Sequence, residues 1–463
     1  DTRSAQIAHA LVSAGCRSGD RVAVQVEKSP TAVCLYLACL RAGLVYLPLN
    51  TGYQQREMTY FLANAEPRVV VCRPEDMGSI SPIAAPDMRL FTLDERGQGS
   101  LANQFSSCFE TFETVEVAAG NLAAILYTSG TTGRSKGAMI SHANLAANAL
   151  SLVDYWGFTA EDVLYHALPI YHVHGLFVAL HCVLLSGSRM WFCPKFDVAQ
   201  ALGLLQRSTV MMGVPTYYSR LLANQEFNRL HCRTTRVFIS GSAPLLPETF
   251  ASFESRTGQR ILERYGMTET GMNTSNPLHG ERIGGTVGLP LPGVEIRVAA
   301  PQHADPADAI GGIEVRGANV FSGYWRLPEK SAEDFTADGF FRTGDMGKLL
   351  PNGYLQIVGR SKDLIITGGL NVYPKEIEEL IDAQPGVVES AVIGIPHRDL
   401  GEAVTAIVVG RPGVRVTSNT VLAALRPQLA AFKLPKYVHI VPELPRNAMG
   451  KVQKNVLRQK YGG

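Results

Sequence analysis

The chain has 463 residues, 46% of them hydrophobic and 18% charged, with a formal net charge of +2 at pH 7. That length exceeds one ordinary core and predicts two or more domains, and the balanced charge lacks the basic excess of a nucleic-acid binder. No apolar run reaches the roughly 20 residues of a membrane span, and the eight cysteines include no C-x-x-C pair, so neither a zinc site nor a disulfide framework is outlined.

The first elements alternate. "SAQIAHALVSAG" (Ser4 to Gly15) is helix-periodic and ends in glycine; "DRVAVQV" (Asp20 to Val26) reads as a strand. "SPTAVCLYLACLRAG" (Ser29 to Gly43) has proline near its start and glycine at its end, the polarity of a capped helix. "LVYLPLN" and "RVVVC" return to strand. This β-α-β rhythm predicts a parallel α/β sheet. It resumes with helices near Asn144 to Val153 and Leu176 to Leu185, and strands at Thr209 to Val214 and Arg236 to Gly241. From about Gly288 to Val358 short strands and turns replace it, predicting a β-rich subdomain, and "PQHADPADA" (Pro301 to Ala309) reads as a surface loop. After Arg360 comes an α+β unit of about a hundred residues, enough for a domain.

One stretch is stripped of bulk. "TSGTTGRSKG" (Thr128 to Gly137) holds three glycines, five hydroxyls and two cations, straight after the apolar run "LAAILY". Glycines let backbone approach a ligand closely, successive N–H groups form an anion-binding concavity, and Arg134 and Lys136 add charge-assisted hydrogen bonds. A polyanion, above all phosphate, fits this loop; a plain flexible surface loop would use the same residue types. It is not the G-x-x-x-x-G-K-[ST] loop of mononucleotide-binding folds, because Gly133 precedes Arg134 and Lys136 precedes Gly137.

Other stretches are polar where their surroundings are not. "ISGSAPL" (Ile239 to Leu245) closes a strand with small residues, leaving room for a flat ligand. "ERYGMTET" (Glu263 to Thr270) offers an aromatic face, a close-approach glycine, a hydroxyl and the carboxylate Glu269. "GFFRTGD" ends in Asp345, suited to a ribose diol; "IVGRSKDLI" sets Arg360, Lys362 and Asp363 at the expected domain boundary; "LPRNAMGKVQK" presents Lys451 after a glycine. Singly, each has a bland reading as core, cap, turn or solvated lysine.

Together and in this order, the phosphate loop, "YGMTE", "TGD", "GRSKD" and "PRNAMGK" resemble the adenylate-forming superfamily of acyl-CoA synthetases, adenylation domains and luciferases, over essentially the whole chain. The resemblance implies an α/β fold: a large N-terminal domain of stacked α/β sheets plus a β-rich subdomain (1–361), and a small mobile α+β C-terminal domain (363–463) hinged at Lys362. It implies two steps, in which a carboxylate and ATP give acyl-AMP and pyrophosphate and coenzyme A then displaces AMP.

By this resemblance Thr128, Ser129, Gly130, Thr131, Thr132, Gly133 and Lys136 hold the β- and γ-phosphates, and Glu269 and Thr132 hold Mg²⁺. Gly241, Ser242, Ala243, Glu263, Arg264, Tyr265, Gly266, Met267 and Thr268 line the adenine site. Asp345 and Arg360 hold the ribose, and Lys451 bridges the carboxylate and the α-phosphate. His172, in "PIYHVHG", and Ser240 belong to the acyl pocket, and Gly368 and Gly369 to the coenzyme A tunnel. The chemistry asks for such groups on its own account, since charge on the phosphoryl oxygens is stabilised by cations and Mg²⁺.

The acyl pocket is expected in "GMTETGMNTSNPLHGERIGGTVG" (Gly266 to Gly288), where Asn273, Thr274, Ser275 and Arg282 are polar. Here the chain is similar to malonyl-CoA synthetases, and the resemblance implies Arg282 as the partner of a distal carboxylate, with malonate or methylmalonate as substrate. An alternative is a CoA ligase for another short-chain mono- or dicarboxylic acid. An amino-acid-activating domain would carry an aspartate for the amine and a carrier domain downstream; a non-catalytic relative would lack Lys451 or Glu269. The expected partners are ATP, coenzyme A and the acid, without nucleic acid or membrane. A cytoplasmic location is expected, with any targeting information in a segment upstream of Asp1.

Overall fold

The computed structural model of the chain describes residues 1–128, 135–300, 309–368, 370–447 and 450–462. The loop expected over 301–309 falls almost wholly outside these residues, as do Ser129, Gly130, Thr131, Thr132, Gly133 and Gly369.

Two α/β sheets form the body. In the first, strands run in the order Arg89–Thr92, Val69–Cys72, Arg21–Gln25, Val45–Pro48, Leu122–Thr128, Lys136–Ser141. All neighbours are parallel except the last pair, which is antiparallel and flanks the glycine-rich stretch in sequence. Runs such as "VVVC" are buried at every position, as strands covered on both faces require. The helix Pro30–Arg41 starts where Ser29 accepts a hydrogen bond from the Ala32 amide, and Pro30 fills the first turn, where no donor is missed.

The second sheet has the order Leu289–Pro290, Gly271–Ser275, Leu262–Met267, Val237–Ser240, Val210–Gly213, Val163–His166, Arg189–Phe192. Its central strands are parallel, so their carboxyl ends share one edge, where open α/β sheets bind ligands. A four-stranded antiparallel sheet follows (Val294–Ala299, Gly311–Gly317, Phe341–Leu349, Leu355–Arg360), as the change of pattern predicted. The chain then builds a fourth sheet from Ile365–Thr367, Leu370–Val372, Val387–His397, Gly401–Gly410 and Tyr437–Val441, with its own apolar core around Ile377, Val392 and Val408.

One element departs from expectation. The helix read near Leu176 to Leu185 begins as a π-helix, His174–Ala179, before the α-helix Leu180–Ser186. The His172 carbonyl accepts from both the Gly175 and Leu176 amides, and Gly175 packs so closely that a β-carbon would lie 2.1 Å from the Pro169 carbonyl oxygen. Wide turns of this kind are frequent at functional sites; here the turn starts at His172 and His174. All eight cysteines are free, and no helix among the described residues is long and apolar enough to cross a membrane.

Candidate active site

The site grows from the carboxyl ends of Val210–Gly213, Val237–Ser240 and Leu262–Met267. Ser240 is fully buried, and its hydroxyl has no partner among the described residues. Ser242 adopts φ 72°, a left-handed conformation costly for a residue with a β-carbon, and its Oγ lies 3.1 Å from His174 Nδ1. Successive side chains of Leu262–Met267 alternate in direction. Glu263 accepts from the Leu245 amide at 3.1 Å, beside Ala243, and burial lifts its pKa to about 7. Arg264 instead lies against Gly241, where a β-carbon would stand 2.4 Å from the guanidinium carbon. Close approach is what requires glycine there.

Arg264 is 3% exposed, and its Nε and Nη2 have no partner among the described residues. Burial lowers its pKa to about 9, so it remains a cation at neutral pH. Its field, after burial, helps depress His172 to about 4 and also acts on His174. Both rings are neutral across the physiological range.

Tyr265 donates its hydroxyl to Asp345, and Arg360 pairs with the other Asp345 oxygen at 2.6 Å. Asp345 and Arg360 are direct cross-strand partners, so the antiparallel sheet places the carboxylate and the guanidinium together. Gly266, Met267 and Thr268 continue from Tyr265 and are partly exposed along the cleft. Glu269 is 5% exposed, accepts from the Tyr324 hydroxyl at 3.1 Å, and is raised in pKa by burial. Lys136 reaches the same region, its ammonium 3.9 Å from the Tyr324 ring centroid and 3.6 Å from Asp334.

Lys451 comes from the small unit. Its amide donates to the Asn447 side chain at 2.9 Å, and an isolated bridge joins Arg446 to Val452, so the residue sits on a tight hairpin. Gly450 takes φ 74°, and a β-carbon on it would lie 3.2 Å from Thr216 of the large unit. The Lys451 side chain keeps surface open to solvent, yet the cleft walls, and next the Arg360 guanidinium, lower its pKa. It also acts on His172. Lys362 lies in the turn Ser361–Asp363, with its pKa lowered to about 8 by burial, and Asp363 pairs with Arg458 at 2.6 Å. Gly368 is elsewhere, lining a cavity of about 330 Å³ with Leu370, Leu400, Phe432 and Lys436.

Two of the expected acyl-pocket features already have partners within the protein. Arg282 donates to the carbonyls of Pro277, Arg260 and Leu278 at 2.8–3.2 Å and feels the charge of Arg236, at the amino end of the strand whose carboxyl end bears Ser240. It braces a loop at the far end of the sheet. The polar run before it is also hydrogen-bonded within the protein, with only the Asn273 Nδ2 left without a partner among the described residues. Thr274 donates to the Val287 carbonyl, Ser275 accepts from the Trp156 indole, and Asn273 accepts from Asn319. The sequence reading missed His174, whose signal was the doubled histidine of "YHVHG", and Tyr324, for which the local sequence held no signal.

No group of three or more metal-ligating side chains exists among the described residues. A buried carboxylate that feels the Lys136 ammonium still suits Mg²⁺, which is typically held by one or two carboxylates together with substrate phosphates. Glu269 fits that use; Thr132 lies outside the described residues.

The fold and site define an enzyme that activates a carboxylate with a nucleotide. Residues 1–325 match the family model of AMP-binding enzymes and residues 376–451 that of the AMP-binding enzyme C-terminal domain. The chain belongs to the AMP-binding enzyme family. It is 36% identical over 495 residues to the mitochondrial malonate–CoA ligase of Mus musculus, spanning 96% of this chain and 83% of that protein. Its structure matches ATP-bound MatB of Rhodopseudomonas palustris with a TM-score of 0.98 at 56% identity, covering 100% of this chain and 92% of the other. A malonyl-CoA ligase with methylmalonyl-CoA and AMP bound gives a TM-score of 0.68 at 35% identity, covering 96% and 93%.

Proposed function

We propose that this chain joins malonate to coenzyme A through malonyl-AMP, releasing AMP and pyrophosphate, with methylmalonate as a second substrate. The observation that carries this reading is the buried guanidinium of Arg264, whose Nε and Nη2 have no partner among the described residues, beside His172, on which Lys451 also acts. A buried cation without an anion is unfavourable, so the pocket is suited to a substrate that brings one. Malonate carries its two carboxylates one methylene apart. Lys451 and His172 face the reacting carboxylate, and Arg264 pairs with the distal one, bidentately where geometry allows. Ser240 and His174 supply further polar contacts. The names of the relatives support the same substrate class.

The remaining roles extend the resemblance of the sequence motifs. Thr128, Lys136 and the loop between them take the β- and γ-phosphates. Gly241, Ser242, Ala243, Glu263, Tyr265, Gly266, Met267 and Thr268 frame the adenine, while Asp345 and Arg360 hold the ribose. Glu269, with Thr132, would hold Mg²⁺, which would supply positive charge to the phosphoryl oxygens. Lys451 stabilises charge at the α-phosphate in the first step. The carboxylate is itself the nucleophile, so the neutral His172 is not needed as a base. Rotation about Lys362 then withdraws Lys451 and brings Gly368 and Gly369 toward the cleft for coenzyme A.

The test is pyrophosphate release over acetate, butyrate, malonate, methylmalonate and succinate, with and without coenzyme A. Malonate should give the highest kcat/KM, with thioester formed only when coenzyme A is present. A monocarboxylate that outperforms malonate would overturn the assignment.

A further inference from the structure

Tyr324 touches both charged groups assigned to the phosphate end of the site. It is 3% exposed, its hydroxyl donates to Glu269 Oε1 at 3.1 Å, and its ring face lies 3.9 Å from the Lys136 ammonium. The segment that carries it is stapled on two sides. Trp325 donates its amide to the Gly137 carbonyl at 2.7 Å, Met139 donates to the Gly323 carbonyl at 3.0 Å, and Tyr324 itself bridges to Ala138. Phe321 donates to the Glu269 backbone carbonyl at 2.8 Å, and the Tyr324 amide is held by Ser331 Oγ at 2.8 Å. The backbone on either side of Tyr324 thus fixes the strand that bears Lys136 and the turn that bears Glu269.

We propose that Tyr324 is a positioning residue that sets Glu269 and Lys136 in register for a metal-complexed polyphosphate: the hydroxyl fixes which carboxylate oxygen remains free, and the ring holds the ammonium in place. This rests on the nucleotide-dependent reading above. The hydroxyl, as donor to one Glu269 oxygen, fixes the rotation of the carboxylate and leaves the second oxygen for a cation. The ring attracts the ammonium through its electron-rich face and holds it near Asp334, which also neutralises it while no phosphate is present. The two functions separate chemically, because phenylalanine keeps the ring and loses the hydroxyl, whereas leucine loses both.

The test is ATP binding by titration calorimetry without any acid substrate, across a series of Mg²⁺ concentrations and in EDTA. Tyr324→Phe should leave binding in EDTA unchanged and raise the Mg²⁺ needed for half-maximal enhancement by about 10-fold or more, the usual cost of losing a partner of a metal-binding side chain. Tyr324→Leu should weaken binding in both conditions. In turnover assays Tyr324→Phe should recover toward wild-type kcat at high Mg²⁺, which a merely structural lesion would not do. An unchanged Mg²⁺ dependence in Tyr324→Phe overturns the proposal, as does equal weakening with and without Mg²⁺. Tyr324→Phe carries the test alone if the leucine variant does not fold. Because no carboxylic acid is present, failure here is distinct from failure of the malonate assignment, which the acid panel tests.

Discussion

Lys451 and Arg264 belong to different folding units, yet both cations act on the ring of His172. A single small molecule with two adjacent negative charges can answer both, which makes their roles separable by experiment.

Arg264→Met should cost malonate on the order of 2–5 kcal/mol in kcat/KM, as for truncating one side of a buried charge pair. Butyrate, with no second charge, should hold steady or rise, and Arg264→Lys should recover only part, since an ammonium lacks the fork. Arg282→Met, which strips hydrogen bonds from three backbone carbonyls, should lower the melting temperature while leaving the malonate-to-butyrate ratio intact. If the ratio collapses in Arg282→Met and not in Arg264→Met, the distal-carboxylate role reverts to Arg282.

Lys451→Ala should block adenylation far more than thioester formation. Losing a contact made to charge developing in the transition state typically costs about 10²–10³ in rate. Chemically prepared malonyl-AMP should still react with coenzyme A. Equal loss in both half-reactions would remove Lys451 from the first step.

Lys362 lies in a short 3₁₀ turn, whose φ proline can adopt. Lys362→Pro should therefore keep the adenylating arrangement and hinder rotation out of it. First-turnover pyrophosphate release should survive while thioester formation falls. Unchanged overall turnover would place the hinge elsewhere.

The pH profile of adenylation follows from two shifts. His172 is held near 4 by burial, then by Arg264 and Lys451, so no histidine limb should appear between pH 5 and 8. Lys451 works as a cation, so activity is present below its pKa and lost as pH rises through it. Because that pKa is lowered by the cleft walls and Arg360, the alkaline limb should lie below that of an ordinary lysine. Lys451→Arg should displace the limb upward. Glu263 in the same site also titrates at about 7, so the histidine is read by comparison: an acid limb near 6.5 that His172→Gln removes would contradict the neutral-ring assignment.

Asp382 offers a stability test in the small unit. Its Oδ1 is buried with no partner among the described residues, and burial, with Glu378 and Glu389 nearby, raises its pKa to about 7. The folded state thus binds more protons than the unfolded state between about pH 4 and 7, and this contribution to stability declines as pH rises through that window. Asp382→Asn should raise the melting temperature more at pH 8 than at pH 5. An equal shift at both pH values would show that Asp382 titrates normally.

The sequence alone determined the order of elements and the identity of the family, because both are written in short-range patterns. Apolar runs at strand length, the Ser29–Pro30 start and Gly43 stop of a helix, and glycine-rich turns are local physics. So is the bareness of "TSGTTGRSKG", since a loop that must wrap a polyanion has to lose its bulk whatever surrounds it. Tertiary structure alone separated the surroundings of the two candidate cations. Arg264 and Arg282 are both arginines in polar stretches, and a single sequence contains nothing about which end of a sheet each meets. Arg282 finds three carbonyls that no strand had used, whereas Arg264 is packed against Gly241 from a neighbouring strand and left with donors to spare. Asn273, Thr274 and Ser275 look like a polar pocket in sequence and become internal bracing once their partners, 13 to 119 residues away, arrive. Tyr324 was invisible for the same reason: its two charged neighbours lie 55 residues and farther off, and only the stapling of its segment to the strand and turn that bear them brings all three together.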